Sequence, residues 1–214
     1  MKAGFLALFI ASACFADTID FASTTSTPNS TGKPSILAFV DPSWASPLNS
    51  PLPSFWITAT GDLAPLLGTS VTYTETFVLP AGFTDAVLNL GVFADDSATV
   101  KIDGTTLFTE DTKLGAHCAA GPIGCVTGTE GIITNMNVTA DLHPGTNTIT
   151  FKDYQEVGGT PFGIDFDGSL SYSSIDREVS AVPEPSSIVL LFTGLGCIGF
   201  GQCLRKLASK RAKS

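Results

Sequence analysis

Val71-Thr-Tyr-Thr-Glu-Thr-Phe-Val-Leu79 puts Val71, Tyr73, Phe77 and Leu79 on one side of an extended chain and three threonines on the other. Successive side chains of a strand point to opposite faces, so this period of two predicts a half-buried β-strand. Working outward, Ala86 to Phe93 is a nearly continuous apolar run, as expected of a strand in a sandwich core. Ala98–Ile102 and Thr105–Phe108 flank Asp103-Gly104, a dipeptide that favours the tight turn of a hairpin. Asn147–Tyr154 follows Pro144-Gly145 and alternates Ile149 and Phe151 against Thr148, Thr150 and Lys152. Phe162, Ile164, Phe166, Leu170 and Tyr172 complete the pattern. Short strands, Gly/Pro/Asp turns and the lack of a long amphipathic helix predict an all-β fold, an antiparallel β-sandwich over residues 17–172. No repeat of fixed period occurs, which argues against a propeller or solenoid.

Composition supports one such domain. The chain has 214 residues, 43% of them hydrophobic and only 14% charged, with 15 Phe, 21 Gly and 13 Pro. The Phe count and the strand patterns imply a real core, and the Gly and Pro imply many turns. Charge is unevenly spread. All twenty acidic residues lie between Asp17 and Glu184, opposed there by only Lys33, Lys101, Lys113, Lys152 and Arg177, while Arg205, Lys206, Lys210, Arg211 and Lys213 crowd the last ten positions. A body so acidic argues against nucleic-acid binding, which begins with phosphate neutralisation. The Ser-, Thr- and Pro-rich stretch Thr24–Pro53 reads as irregular wrapping with one or two short edge strands, and residues 173–182 as a linker.

Both ends read as addresses. Residues 1–16, MKAGFLALFIASACFA, combine Lys2, an apolar run and small residues before a cleavage point ahead of Asp17, the pattern of a signal peptide. A lipoprotein signal ending at Cys14 is the alternative. Ile188–Leu204 is 17 residues without a charge. As a helix it would span about 26 Å, at the short end for a transmembrane segment. The basic cluster after it predicts a cytoplasmic tail, so the chain between the two ends is exported, with the precursor held in the inner membrane.

Directly ahead of that segment stands Val182-Pro-Glu-Pro-Ser-Ser187. Pro-Glu-Pro, then a glycine-bearing hydrophobic helix, then a basic tail resembles the PEP-CTERM protein-sorting signal, over residues 183–214. The resemblance implies recognition of Pro183, Glu184 and Pro185 by an exosortase of a Gram-negative envelope, and release or transfer to the cell surface. Prolines keep the backbone extended and open to a protease, which gives the motif a physical rationale. In the body, Tyr73…Phe77…Leu79-Pro80, Gly91-Val-Phe-Ala-Asp-Asp-Ser-Ala-Thr-Val-Lys-Ile-Asp-Gly104 and Pro144-Gly-Thr-Asn-Thr-Ile-Thr-Phe151 resemble galactose-binding-like jelly rolls. That resemblance implies a module contacting carbohydrate or matrix, and the exosortase resemblance implies exopolysaccharide as a partner.

The chemistry-bearing residues are few. Cys14, Cys197 and Cys203 fall in the two terminal segments, leaving Cys118 and Cys125 as a loop-closing disulfide in an oxidising compartment. His117 and His143 form no zinc-binding spacing, and no nucleophile elbow or phosphate loop occurs. The acid pairs Asp95-Asp96 and Asp165-x-Asp167 read as turn carboxylates. Calcium held by Asp95, Asp96 and nearby carbonyls, or a glycosidase dyad, are the sharper alternatives. Trp44, Trp56 and Tyr154 could stack on sugar rings or fill the core. The sequence therefore predicts no catalytic residue, no required cofactor and a non-catalytic, carbohydrate- or matrix-associated surface protein. A polysaccharide-acting enzyme and a permanently membrane-tethered binding protein are the alternatives.

Overall fold

The computed structural model describes residues 15–39, 41–59, 61, 66–109, 123–158 and 161–174. Ten strands run in the order β1 Phe15–Ala22, β2 Ile36–Leu37, β3 Ile57–Thr58, β4 Ser70–Leu79, β5 Thr84–Asp95, β6 Ser97–Ile102, β7 Thr105–Phe108, β8 Gly131–Asn137, β9 Gly145–Tyr154 and β10 Gly163–Ser174. A 3-10 turn, Thr139–Asp141, is the one helical element among the described residues. The strands make two sheets, β2-β3-β10-β5-β8 with β1 also on β10, and β4-β9-β6-β7, and every pairing is antiparallel. The all-β antiparallel sandwich read from the sequence is the fold observed. Among the described residues no helix is long and apolar enough to cross a membrane. Residues 1–14 of the expected signal peptide, Pro183-Glu184-Pro185 and Ile188–Leu204 lie outside the described residues, as does Cys118, while Phe15 and Ala16 open β1 opposite Ser174 and Ser173.

The period-two reading translates directly into packing. Along β9, Asn147, Ile149, Phe151 and Asp153 are buried, while their neighbours Thr148, Thr150, Lys152 and Tyr154 are only partly covered. Along β4, Val71, Tyr73, Phe77 and Leu79 are buried. These inward rows meet Leu88, Leu90, Val92, Ala94, Ile164, Phe166 and Leu170 of the facing sheet in one apolar core. Phe151 and Phe166 stack across it with ring centroids 3.8 Å apart, joining the middle strands of the two sheets. Asp103 and Gly104 have φ of +42° and +89°, the left-handed conformation the two-residue hairpin turn requires.

The other face of the six-stranded sheet is also covered. Trp44, Trp56, Phe93, Ala38, Ala45 and Cys125 form a second apolar cluster, with Trp44 stacked on Trp56 at 4.2 Å. The segment Thr24–Pro53 thus lies over that sheet as a wrap, with its one two-residue strand, β2, at the sheet's edge, as the composition implied. Its first part also seals the edge of β4, where Thr74 N–H donates to the Pro28 carbonyl and Ser30 N–H to the Thr72 carbonyl.

Close packing leaves no room at Gly168 in β10. A Cβ there would lie 2.6 Å from Phe21 Cζ and 2.7 Å from the Asn89 carbonyl oxygen. Gly168→Ala should therefore destabilise the domain by about 1–3 kcal/mol, because a rigid backbone oxygen and a packed ring must both yield. Urea unfolding would show this as a lower midpoint at unchanged slope, and an unaltered midpoint would contradict the packing described.

Candidate functional site

Asp165 and Asp167 are inside a strand, which corrects their reading as turn residues, whereas Asp95 and Asp96 do stand where β5 passes into β6. Asp165 and Asp167 sit in β10, opposite Phe93 and Gly91 of β5, and face the wrap. Asp165 Oδ2 accepts the Leu48 N–H at 2.8 Å, and its Oδ1 stands 3.0 Å from the Ser23 hydroxyl. Asp167 Oδ2 accepts the Ser50 N–H at 2.6 Å. An irregular segment must find partners for its buried N–H groups, and these two side chains supply them. Burial raises both acids, Asp167 to about 6, against the lowering effect of those hydrogen bonds.

Asp95 and Asp96, joined by a cis peptide bond, stand at one end of the sandwich. Asp95 Oδ2 accepts the indole N–H of Trp44 at 2.7 Å. Asp96 Oδ2 accepts the backbone N–H groups of Glu156 and Val157 at 2.8 and 2.7 Å. Asp153 closes the inward row of β9 at the same end, fully buried, with no hydrogen bond of sound geometry to either carboxyl oxygen. Removal from water pushes Asp95 up to about 8, reinforced by the adjoining Asp96, and raises Asp153 strongly, reinforced by Asp95 and Asp96. Tyr73 is pushed up too, by burial and then by the charge of Asp153.

Calcium takes six to eight oxygen ligands. Among the described residues no three His, Cys, Asp or Glu side chains converge as a metal-ligand set. Shared or retained protons are the means by which the cluster's own residues can relieve the charge. Asp95 and Asp96 are buried, and each gives a carboxylate oxygen to a hydrogen bond inside the fold, whereas a glycosidase pair must flank an open cleft.

Trp44 and Trp56 are likewise buried, at 7% and 1% exposure, and Trp56 Nε1 donates to the Ala45 carbonyl at 3.1 Å. Neither presents a stacking platform, so of the three aromatics only Tyr154 reaches the surface. His143 stands at the hairpin end, its Nε2 3.5 Å from Asp103 Oδ2, and His117 lies outside the described residues. Cys125 is buried in the tryptophan cluster.

What the fold leaves open is the outer face of the four-stranded sheet. Register aligns Thr72 of β4 with Lys152 of β9 and Thr99 of β6, and in the next row Thr74 with Thr150 and Lys101. Thr72, Thr99, Lys101, Thr150 and Lys152, together with Thr106, Thr109 and Tyr154, line a depression of about 410 Å³. Lys152 Nζ sits 4.6 Å from the centroid of the Tyr154 ring, a cation–π contact on the same face. The sequence pattern identified these threonines and lysines as the polar side of strands. It did not single them out as a surface, because only the register brings them into rows.

The fold and this face define an antiparallel β-sandwich module with one sheet packed on both sides and the other open. No protein-family model and no curated protein matches the chain. Solved structures similar to it include a family 35 carbohydrate-binding module from Clostridium thermocellum, at 11% identity and a TM-score of 0.37, covering 71% of this chain and 97% of that one. Another is the CBM36-1 domain of a multidomain xylanase from the hindgut metagenome of Trinervitermes trinervoides, at 14% identity and a TM-score of 0.31, covering 74% and 97%. A Faecalibacterium prausnitzii β-glucuronidase matches at 15% identity and a TM-score of 0.35, with 78% of this chain spanning 33% of the enzyme. These are loose likenesses among β-sandwiches, and no ligand is read from them.

Proposed function

We propose that this chain is an exported protein of the cell surface or extracellular matrix, sorted through a PEP-CTERM signal, whose sandwich is a non-catalytic glycan- or matrix-binding module. The observation that carries the molecular half is the fate of the acids. Both pairs hold hydrogen bonds inside the fold, which turns attention to the hydroxyl-lined sheet face as a surface able to meet a partner. The sorting half rests on the order of Pro183-Glu184-Pro185, Ile188–Leu204 and the basic tail, with an exosortase as the processing partner and the inner membrane as the precursor's station. A disulfide between Cys118 and Cys125 belongs to the same reading, since the compartment would be oxidising. Cleavage before Asp17 is compatible with the fold: β1 would lose Phe15 and Ala16 and keep Asp17–Ala22 paired with β10.

Mass spectrometry of the termini tests the sorting. The mature chain should begin at Asp17 and end near Pro183–Pro185, and Pro183→Ala with Pro185→Ala should leave full-length precursor in the inner membrane. A wild-type chain still ending at Ser214 would mean a permanent anchor, and a lipidated Cys14 at the start would mean a lipoprotein. Hydrolysis of a polysaccharide lost with Asp95→Asn or Asp165→Asn, in a variant that still folds, would overturn the non-catalytic assignment.

A further inference from the structure

The open face is unusual for this chain in its charge. Of the described basic residues between Asp17 and Glu184 only Lys33, Lys101 and Lys152 remain to offset the acids, and two of the three line this one depression. They sit on adjacent strands in neighbouring rows, a diagonal separation of about 7–8 Å between Cα atoms. Like charges so placed repel, and among the described residues neither lysine is paired with a carboxylate. The outward residues around them, Thr72, Thr74, Thr99, Thr106, Thr150 and Tyr154, carry no acid. Among the described residues, the first carboxylate toward the hairpin tip is Asp103, already holding the Thr148 N–H at 2.7 Å and facing His143, while at the other end Glu156 follows Tyr154 by two positions.

From this we infer that the outer face of the β4-β9-β6-β7 sheet binds an acidic polysaccharide, with Lys101 and Lys152 taking the carboxylates of uronate units and the threonine rows and Tyr154 taking sugar hydroxyls and a ring face. This names the ligand class for the module above and rests on that reading. An ammonium group donates charge-assisted hydrogen bonds to a carboxylate. Lys152, held over the Tyr154 ring, is directed along the face, while Lys101 is exposed and can follow its ligand. Threonine hydroxyls both donate and accept, as a sugar hydroxyl requires of its partner. The negative body does not forbid this contact, because exposed charges more than about 8 Å away are largely screened at physiological ionic strength. Both lysines are outward-facing, so replacing them leaves the core intact.

The test is binding of the full-length protein in detergent to polygalacturonate, to the same polymer methyl-esterified, to neutral dextran and to duplex DNA. Polygalacturonate should bind and the ester should not. Lys101→Gln with Lys152→Gln should weaken binding at least about tenfold, as expected for losing hydrogen bonds to charged groups, and the arginine pair should restore it. Raising salt should weaken the wild type more than the glutamine variant. Equal binding of acid and ester forms, unmoved by the glutamines, would overturn the uronate assignment while keeping a glycan-binding module. Equal binding of DNA would make the face a general polyanion site and overturn the assignment too. Binding of none of the polysaccharides would remove the glycan-binding function with it.

Discussion

Between pH 4 and pH 8 the sandwich should become less stable, the reverse of ordinary acid denaturation. An acid whose pKa is higher folded than unfolded is protonated in the native state while the unfolded chain has already ionised. The native state then binds more protons, and stability falls as pH rises through that window. Asp95 sets the window, from its ordinary value near 3.8 to about 8, and Asp153, Asp165 and Asp167 are raised in the same direction. Each unit of pKa shift is worth about 1.4 kcal/mol. These acids act in the same direction, so the loss of stability across the window should be on the order of a few kcal/mol. Urea midpoints at pH 4.5 and pH 8 in the presence of a chelator measure this, and a midpoint that rises with pH would sink the account. Asp153→Asn keeps the shape and removes a buried carboxyl, so it should flatten the curve and raise stability at pH 8. Adding calcium distinguishes protons from metal. If calcium alone abolishes the pH dependence of the wild type, the cluster holds a cation after all, completed by ligands beyond the described acids.

The same acids show where sequence reading succeeds and stops. Strands β4, β6, β7 and β9 were legible because one face of each meets a core and the other meets water, so hydrophobicity alternates. The Asp103-Gly104 turn was legible because positive φ at two positions selects those residues. Strand β1 was not, since Asp17-Thr-Ile-Asp-Phe-Ala22 has few apolar residues and abuts the signal segment. Strand β8 was missed for a related reason: Ile132 and Met136 face outward on an edge, which blurs the period. Asp165 and Asp167 defied local inference altogether. Carboxylates are disfavoured in strands, and only the wrap's N–H groups, more than a hundred positions away, make them acceptable there. For the lysine face one signal was available: two of very few basic residues fall on the outward parity of predicted strands. Their neighbourhood depends on the pairing of β6 with β9, which no single strand reveals.

Phe151 and Lys152, adjacent in the chain, should show how completely the two faces of β9 are separated. Phe151 is fully buried and stacked on Phe166 between the sheets. Phe151→Ala removes most of that ring from a site with a strand on either side, leaving a cavity that two hydrogen-bonded sheets cannot close. The expected cost is about 3–5 kcal/mol, a large part of a typical domain's stability. At about 2–4 °C per kcal/mol for a chain of this size, the melting temperature should fall by about 6–20 °C. Lys152→Ala removes a surface ammonium group and its contact with Tyr154, and should stay within about 0.5 kcal/mol of wild type. A large loss from Lys152→Ala would mean that the lysine supports the sheet, and the open face would lose its claim to be free for a ligand. A small loss from Phe151→Ala would mean that the two sheets are not packed as described. The ligand-binding test needs both results as stated: the fold must rest on one face of this strand so that the other can be altered without disturbing it.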